Sequence, residues 1–158
     1  MQSVVQEQSS VAEMIRAGIE QMPYNAMVGV RILEMDAGRA RASLQARPEV
    51  GNHVGTMHAG AQFSLIEAVS GAAVSGAFLD LLGRAVPLAQ GAELTYRRPA
   101  RGDVVADAHI TPEEIARVRA DLEEQGRSRF DVQVSVTDEH GTLATEAVMR
   151  WYIRLNPS

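Results

Sequence analysis

Glu67 is the one acid between Val50 and Leu79, and no other side chain in that run carries a formal charge. The run reads VGNHVGTMHAGAQFSLIEAVSGAAVSGAFL. Small and apolar residues dominate it, the composition of a helix packed on every side. An ionised carboxylate is costly in such a place unless it is paired or hydrogen-bonded. A carboxylate held there, with His58 and Asn52 close by in sequence, is a candidate for catalysis, because burial moves acids and bases toward working pH. Its chemistry would be attack on a carbonyl carbon or removal of a proton from water.

Composition narrows the classes this chemistry can serve. At 158 residues the chain suits one domain with a full core, and 46% hydrophobic with 22% charged residues matches a soluble globular protein. A net charge of −5 speaks against nucleic-acid binding, which wants a clustered basic surface. All 15 basic residues are arginine, spread along the whole chain. There is no cysteine, which excludes disulfides, thiolate metal sites and cysteine nucleophiles. No metal-ligand cluster stands out, so the expectation is a protein without metal or organic cofactor. The start, MQSVVQEQSSVAEM, lacks the basic and apolar regions of a signal peptide. The longest uncharged run after Glu67, residues 68–79, is too short and too rich in small residues to span a bilayer. A soluble, cytoplasmic protein with no membrane partner is expected.

The elements that must position Glu67 follow from periodicity. Ser9 or Ser10 can cap a helix over about residues 10–22, with Val11, Met14, Ile15 and Ile19 on one stripe and Pro23 ending it. Val28, Val30 and Ile32 then alternate, and Ala40, Ala42, Leu44 and Ala46 form the apolar side of a second strand. A loop from Pro48 to Thr56 leads into the uncharged helix, about residues 57–77. A third strand runs from Leu88 to Tyr96 and a fourth from Asp103 to Ile110. Thr111, Pro112 and Glu114 mark the start of an inserted helix, about residues 112–125, with Ile115, Val118 and Leu122 as its stripe. Phe130, Val132, Val134 and Val136 alternate in a fifth strand, and Leu143 to Arg154 reads as the last. The whole chain, residues 1–158, therefore reads as one α+β domain. A mostly antiparallel sheet of six strands wraps around a central helix.

The segments NHVGTMHAGA (residues 52–61) and AELTYRRPA (residues 92–100) resemble the hotdog-fold acyl-CoA thioesterases, above all the phenylacetate-degradation type and its small bacterial relatives. The resemblance covers roughly residues 10–155. It implies the hotdog fold, an acyl-CoA substrate, and a shared task for a loop Asn, a His at the helix start, the next backbone N–H and a carboxylate two turns on. By position these are Asn52, His58, Ala59 and Glu67. The family commonly has Gly where this chain has Ala59, and often Asp where it has Glu67. The chemistry agrees: an N–H at a helix start is unpaired within the helix and favours the negative charge that builds on a carbonyl oxygen. Gly60 and Phe63 would meet the substrate, with Ile66, Ser70, Leu88 and Gln90 as further walls. Arg97 and Arg98 could hold CoA phosphates. Ala89 stands about where some relatives carry a helper hydroxyl. Gln62 and Ser64 are expected to be packing groups within the helix.

Ala59 and Glu67 are eight positions apart, roughly 12 Å along a helix axis. Two antiparallel copies of the helix would bring Glu67 of one chain to Ala59 and Asn52 of the other. A homodimer with two composite sites is therefore expected, and the resemblance adds a dimer of dimers. Two alternatives use the same fold: an acyl dehydratase or hydratase, with His53 as its base, and a non-catalytic acyl-CoA-binding protein.

Overall fold

A computed structural model of the chain describes residues 2–157. The strand with the cleanest alternation lies inside the sheet: β5 (Arg127–Asp138) buries every second residue from Ser128 onward. Its neighbours are β4 (Val104–His109) and β6 (Leu143–Leu155). With β1 (Arg31–Asp36), β2 (Arg39–Leu44) and β3 (Ala85–Tyr96), the antiparallel order is β1-β2-β4-β5-β6-β3. Helix α3 (Ala59–Ala77) lies against the inner face and buries 12 of its 19 residues. This is the hotdog arrangement that the sequence implies. A Cβ at Gly76 would overlap the Asp36 carbonyl oxygen, so the glycine lets the end of α3 settle onto the end of β1.

The chain start departs from expectation. Helix α1 covers Gln2–Gln21, so neither Ser9 nor Ser10 caps it. Pro23 opens a second helix, α2 (Pro23–Val28), because proline at a first helical position forfeits no helical hydrogen bond. Val28 is therefore helical, while Val30 and Ile32 point inward as the alternation demands. Strand β3 begins two residues before Pro87 and keeps that proline inside it, which an edge strand tolerates.

Helix α4 (Pro112–Gln125) has Thr111 as its cap, whose hydroxyl accepts from the Glu114 N–H at 3.2 Å. Val118 and Leu122 are buried, and Ile115 packs on the same core. Arg119 donates to the Ala77 carbonyl at 2.9 Å, pairs with Asp80 at 2.8 Å and stacks over Phe78. The insertion thus packs within its own chain and fastens the C-terminal end of α3. Among the described residues no helix is long and apolar enough to cross a membrane.

The two sheet edges differ. At β1, Arg16 of α1 donates to the carbonyls of Ile32 (2.8 Å) and Leu33 (3.0 Å), and Glu20 accepts the Ile32 N–H at 2.7 Å. At β3, Arg97 N–H bonds Ala144 O on the β6 side at 2.7 Å. By alternation the amides of Tyr96, Leu94 and Ala92 face away from the sheet. Among the described residues they have no partner.

Candidate active site

The loop before α3 is closed on itself. His58 N–H bonds Val50 O (2.8 Å), Met57 N–H bonds Ala100 O (2.9 Å), and Asn52 N–H bonds Thr56 O (2.9 Å). Inside this ring the side-chain Oδ1 of Asn52 accepts from Val54 N–H (3.1 Å) and Thr56 N–H (3.0 Å). Its amide donates to Thr56 Oγ1 (2.9 Å) and Met57 O (3.4 Å). Both donors and both lone pairs are in use, so Asn52 holds the loop's shape. His53 and Val54 form the exposed tip.

His58 caps α3, its Nδ1 accepting the Gly60 N–H at 2.9 Å. An accepting Nδ1 leaves the proton of a neutral imidazole on Nε2, which is then a donor and not a base. The Gly60 N–H is used by the same bond. Ala59 N–H, the next candidate, is exposed and has no partner among the described residues. The Ala59 carbonyl accepts from the Tyr96 hydroxyl at 3.1 Å, which ties β3 to the helix start. Burial pushes the Tyr96 phenol up, so it stays a donor.

Two buried side chains anchor the same turns. Gln62 accepts from Thr145 Oγ1 at 2.6 Å and donates to Met57 O at 3.3 Å. Ser64 donates to Gly60 O at 2.8 Å and meets the Tyr24 hydroxyl of α2 at 3.1 Å. Both are packing groups of the helix, as their types suggested.

Glu67 lies two turns beyond Ala59, half-buried, and its carboxylate has neither hydrogen bond nor ion pair among the described residues. Burial raises its pKa above the ordinary 4.5, with no charged group contributing. Phe63, one turn earlier on the same side, is 39% exposed. A hollow of about 380 Å³ sits beside the Asn52 loop, lined by Arg47, Val50, Thr56 and Met57 among others. A broader one of about 850 Å³ lies on the outer sheet face and includes His109 and Glu146. Glu67 lines neither.

The remaining candidates divide. Arg97 pairs with Glu146, and Arg98 is exposed with no ion partner among the described residues. Ala89 pairs with buried Trp151 and faces α3, but Leu88 pairs with Tyr152 and Gln90 accepts from Arg129 at 3.0 Å on the outer face. Leu88 and Gln90 are therefore not walls of a cavity at α3. The β-bulge between Ala89 and Gly91 shifts the alternation there. Sequence reasoning passed over Tyr96, Thr145 and Trp151 as contacts of α3, because the partners lie far apart in the chain.

The family described as "Domain of unknown function (DUF4442)" matches residues 12–153. The chain belongs to the DUF4442 family. Among solved structures, this DUF4442 protein is similar to PA5026 of Pseudomonas aeruginosa, a protein of unknown function described as a probable thioesterase. The two are 28% identical over 91% of this chain and 95% of that one, with a TM-score of 0.81. It shares its fold with a mutant of the thioesterase PA1618 from the same organism (16% identity, 92% and 94% coverage, TM-score 0.72). A hypothetical thioesterase from Streptococcus pneumoniae, solved with coenzyme A, has the fold too (16% identity, 82% and 88% coverage, TM-score 0.62). No curated protein matches the sequence.

Proposed function

We propose that this DUF4442 protein is a cytoplasmic enzyme that hydrolyses acyl-CoA thioesters to free acid and CoA, at a site shared by two chains. One observation carries the reading: Glu67 is a lone, half-buried carboxylate on α3, with neither hydrogen bond nor ion pair among the described residues, two turns beyond the unpartnered Ala59 N–H. The likeness to the probable thioesterase PA5026 supports it.

Glu67 of one chain adds to the thioester carbonyl or takes a proton from the water that does. The C–O bond forms, charge moves to the carbonyl oxygen, and the C–S bond then breaks with the thiolate taking up a proton. Where Glu67 itself adds, water then attacks the resulting anhydride, its C–O bond to Glu67 breaks, and the acid and the carboxylate are both freed. The free Ala59 N–H of the other chain receives the oxyanion, with the positive end of the α3 dipole behind it. His58, confined to its Nε2–H form by the cap, adds a second donor. Asn52 acts by fixing the loop, Gly60 leaves room beside the helix start, and Phe63 lies against the acyl group. Arg98 is the cation free to meet CoA phosphates; Arg97 would first have to leave Glu146. A dimer joined along β3 brings the two halves together, and two such dimers can pair again.

The test is a panel of acyl-CoA thioesters followed by free-thiol release. Turnover is expected with at least one acyl class, falling by on the order of 10²-fold or more in Glu67→Gln, the range for loss of a general base. Full turnover in Glu67→Gln would remove the mechanism. Tight acyl-CoA binding with no turnover by the wild type would make the protein a binder.

A further inference from the structure

Trp151 and Ser70 form a second buried polar pair between β6 and α3, beside that of Thr145 and Gln62. Trp151, on the inner face of β6, is 6% exposed, and Ser70 on α3 is fully buried. The indole Nε1–H donates to Ser70 Oγ at 3.1 Å, and Ser70 Oγ donates onward to the Glu67 carbonyl at 2.8 Å. Phenylalanine and alanine would occupy most of the same space with no polar group to satisfy, and replacing both members of a bonded pair by apolar groups costs little beyond the volume lost. What the pair adds is direction. The chain of bonds ends on the backbone of Glu67 and nowhere else.

Local packing agrees with that role. A Cβ on Gly71 would come within 3.4 Å of the Trp151 ring, so the ring lies along the turn that follows Glu67. The Glu67 carbonyl thus receives a side-chain bond from Ser70 in addition to its place in the helical ladder. Held against β6 in this way, the turn has one depth and one rotation.

Resting on the thioesterase reading above, we infer that Trp151 and Ser70 are positioning residues that set the height and burial of the Glu67 carboxylate at the reaction centre. They touch no substrate and act through the helix turn. Since the two act in series, removing either should undo the whole effect.

The experiment uses the intact protein with Trp151→Phe, Ser70→Ala and the double variant. Titration of the Glu67 side-chain carboxyl by carbon NMR needs no substrate. It should move down toward the ordinary carboxylate range in each single variant, as water reaches the carboxylate. Turnover of the best thioester should fall by on the order of tenfold in kcat with KM nearly unchanged, as for a misplaced reacting group, and the double variant should be no worse than either single. Trp151→Phe keeps most of the ring volume and carries the test if Ser70→Ala folds poorly. An unchanged Glu67 titration in a folded Trp151→Phe would reduce the pair to packing, whatever the melting temperature does. A wild type that hydrolyses no thioester would sink the proposed function but would leave the titration result to stand or fall alone.

Discussion

The two edges of one sheet are treated in opposite ways. Edge β1 is closed from within: Arg16 and Glu20 of α1 take up the peptide groups of Ile32 and Leu33. Edge β3 is twice as long, 12 residues against 6, and its outward amides have no partner among the described residues. Proteins normally block exposed edges because these template pairing with other chains. The proposed two-chain assembly would use β3, the long edge left bare, and not the short edge that Arg16 and Glu20 close. Tyr96 of that bare edge bonds the Ala59 carbonyl at the start of the helix that carries Glu67.

The largest effect is expected from closing the open edge. Ala92→Pro removes an outward N–H and leaves the β6 side paired, so the fold should survive while self-association and turnover are both lost. Sedimentation beside an activity assay checks this, and an active monomer would end the two-chain site. Next comes Ala59→Pro. Proline suits a first helical position, and His58 already has the extended backbone that proline demands of its predecessor. The variant therefore deletes one N–H with little disturbance, and kcat should fall on the order of 10²- to 10³-fold. Mixed with Glu67→Ala under conditions where tagged chains are seen to exchange, it should restore about a quarter of wild-type activity. Half the dimers are then mixed, and each has one intact site. No recovery would place each site within a single chain.

The closed edge should behave differently. Arg16→Ala is expected to lower unfolding free energy by roughly 1 kcal/mol, read from denaturant melts, with association and turnover unchanged. A smaller signal distinguishes Glu67 as a site from Glu67 as a support. Burial holds its folded pKa above 4.5, so its ionised form opposes folding. This group favours the fold most below its unfolded pKa, and that contribution fades as pH rises through the raised folded value. Glu67→Gln should therefore melt higher than wild type at neutral pH, with the gap narrowing as pH falls through the raised folded value and closing below about 4.5. A lower melting temperature at neutral pH would mark Glu67 as a structural acid.

Where periodicity was regular, the sequence could be read directly. Phe130, Val132, Val134 and Val136 alternate without interruption, and all four are buried as their pattern requires. Glu67 was legible because nothing else near it is charged. The misreadings have local causes. Pro23 marks a helix stop and a helix start equally well, so α2 was hidden and Val28 was counted as strand. The bulge between Ala89 and Gly91 sends Leu88 and Gln90 outward, and Gly91, a glycine inside a strand pattern, was its one signal in the sequence. Asn52 was visible as a loop residue, but only coordinates reveal that all its bonding capacity is used. The pairs Gln62–Thr145 and Ser70–Trp151 join residues more than 80 positions apart, beyond the reach of any local pattern.

Strand β3 has one neighbour in its own chain, β6, and β6 is the last strand of the sheet to leave the ribosome. Until then β3 is bare on both sides, α3 lacks the two β6 side chains that fasten it, and the apolar helix has only part of its sheet to lie on. Such long-range closure is slow, since distant segments must be ordered before their contacts repay the loss of freedom. The nascent chain therefore passes through a stage in which its stickiest strand and its most apolar helix are both uncovered. Arrival of β6 ends that stage in one step: it pairs β3, fastens α3 through Thr145 and Trp151, and leaves a single side of β3 open.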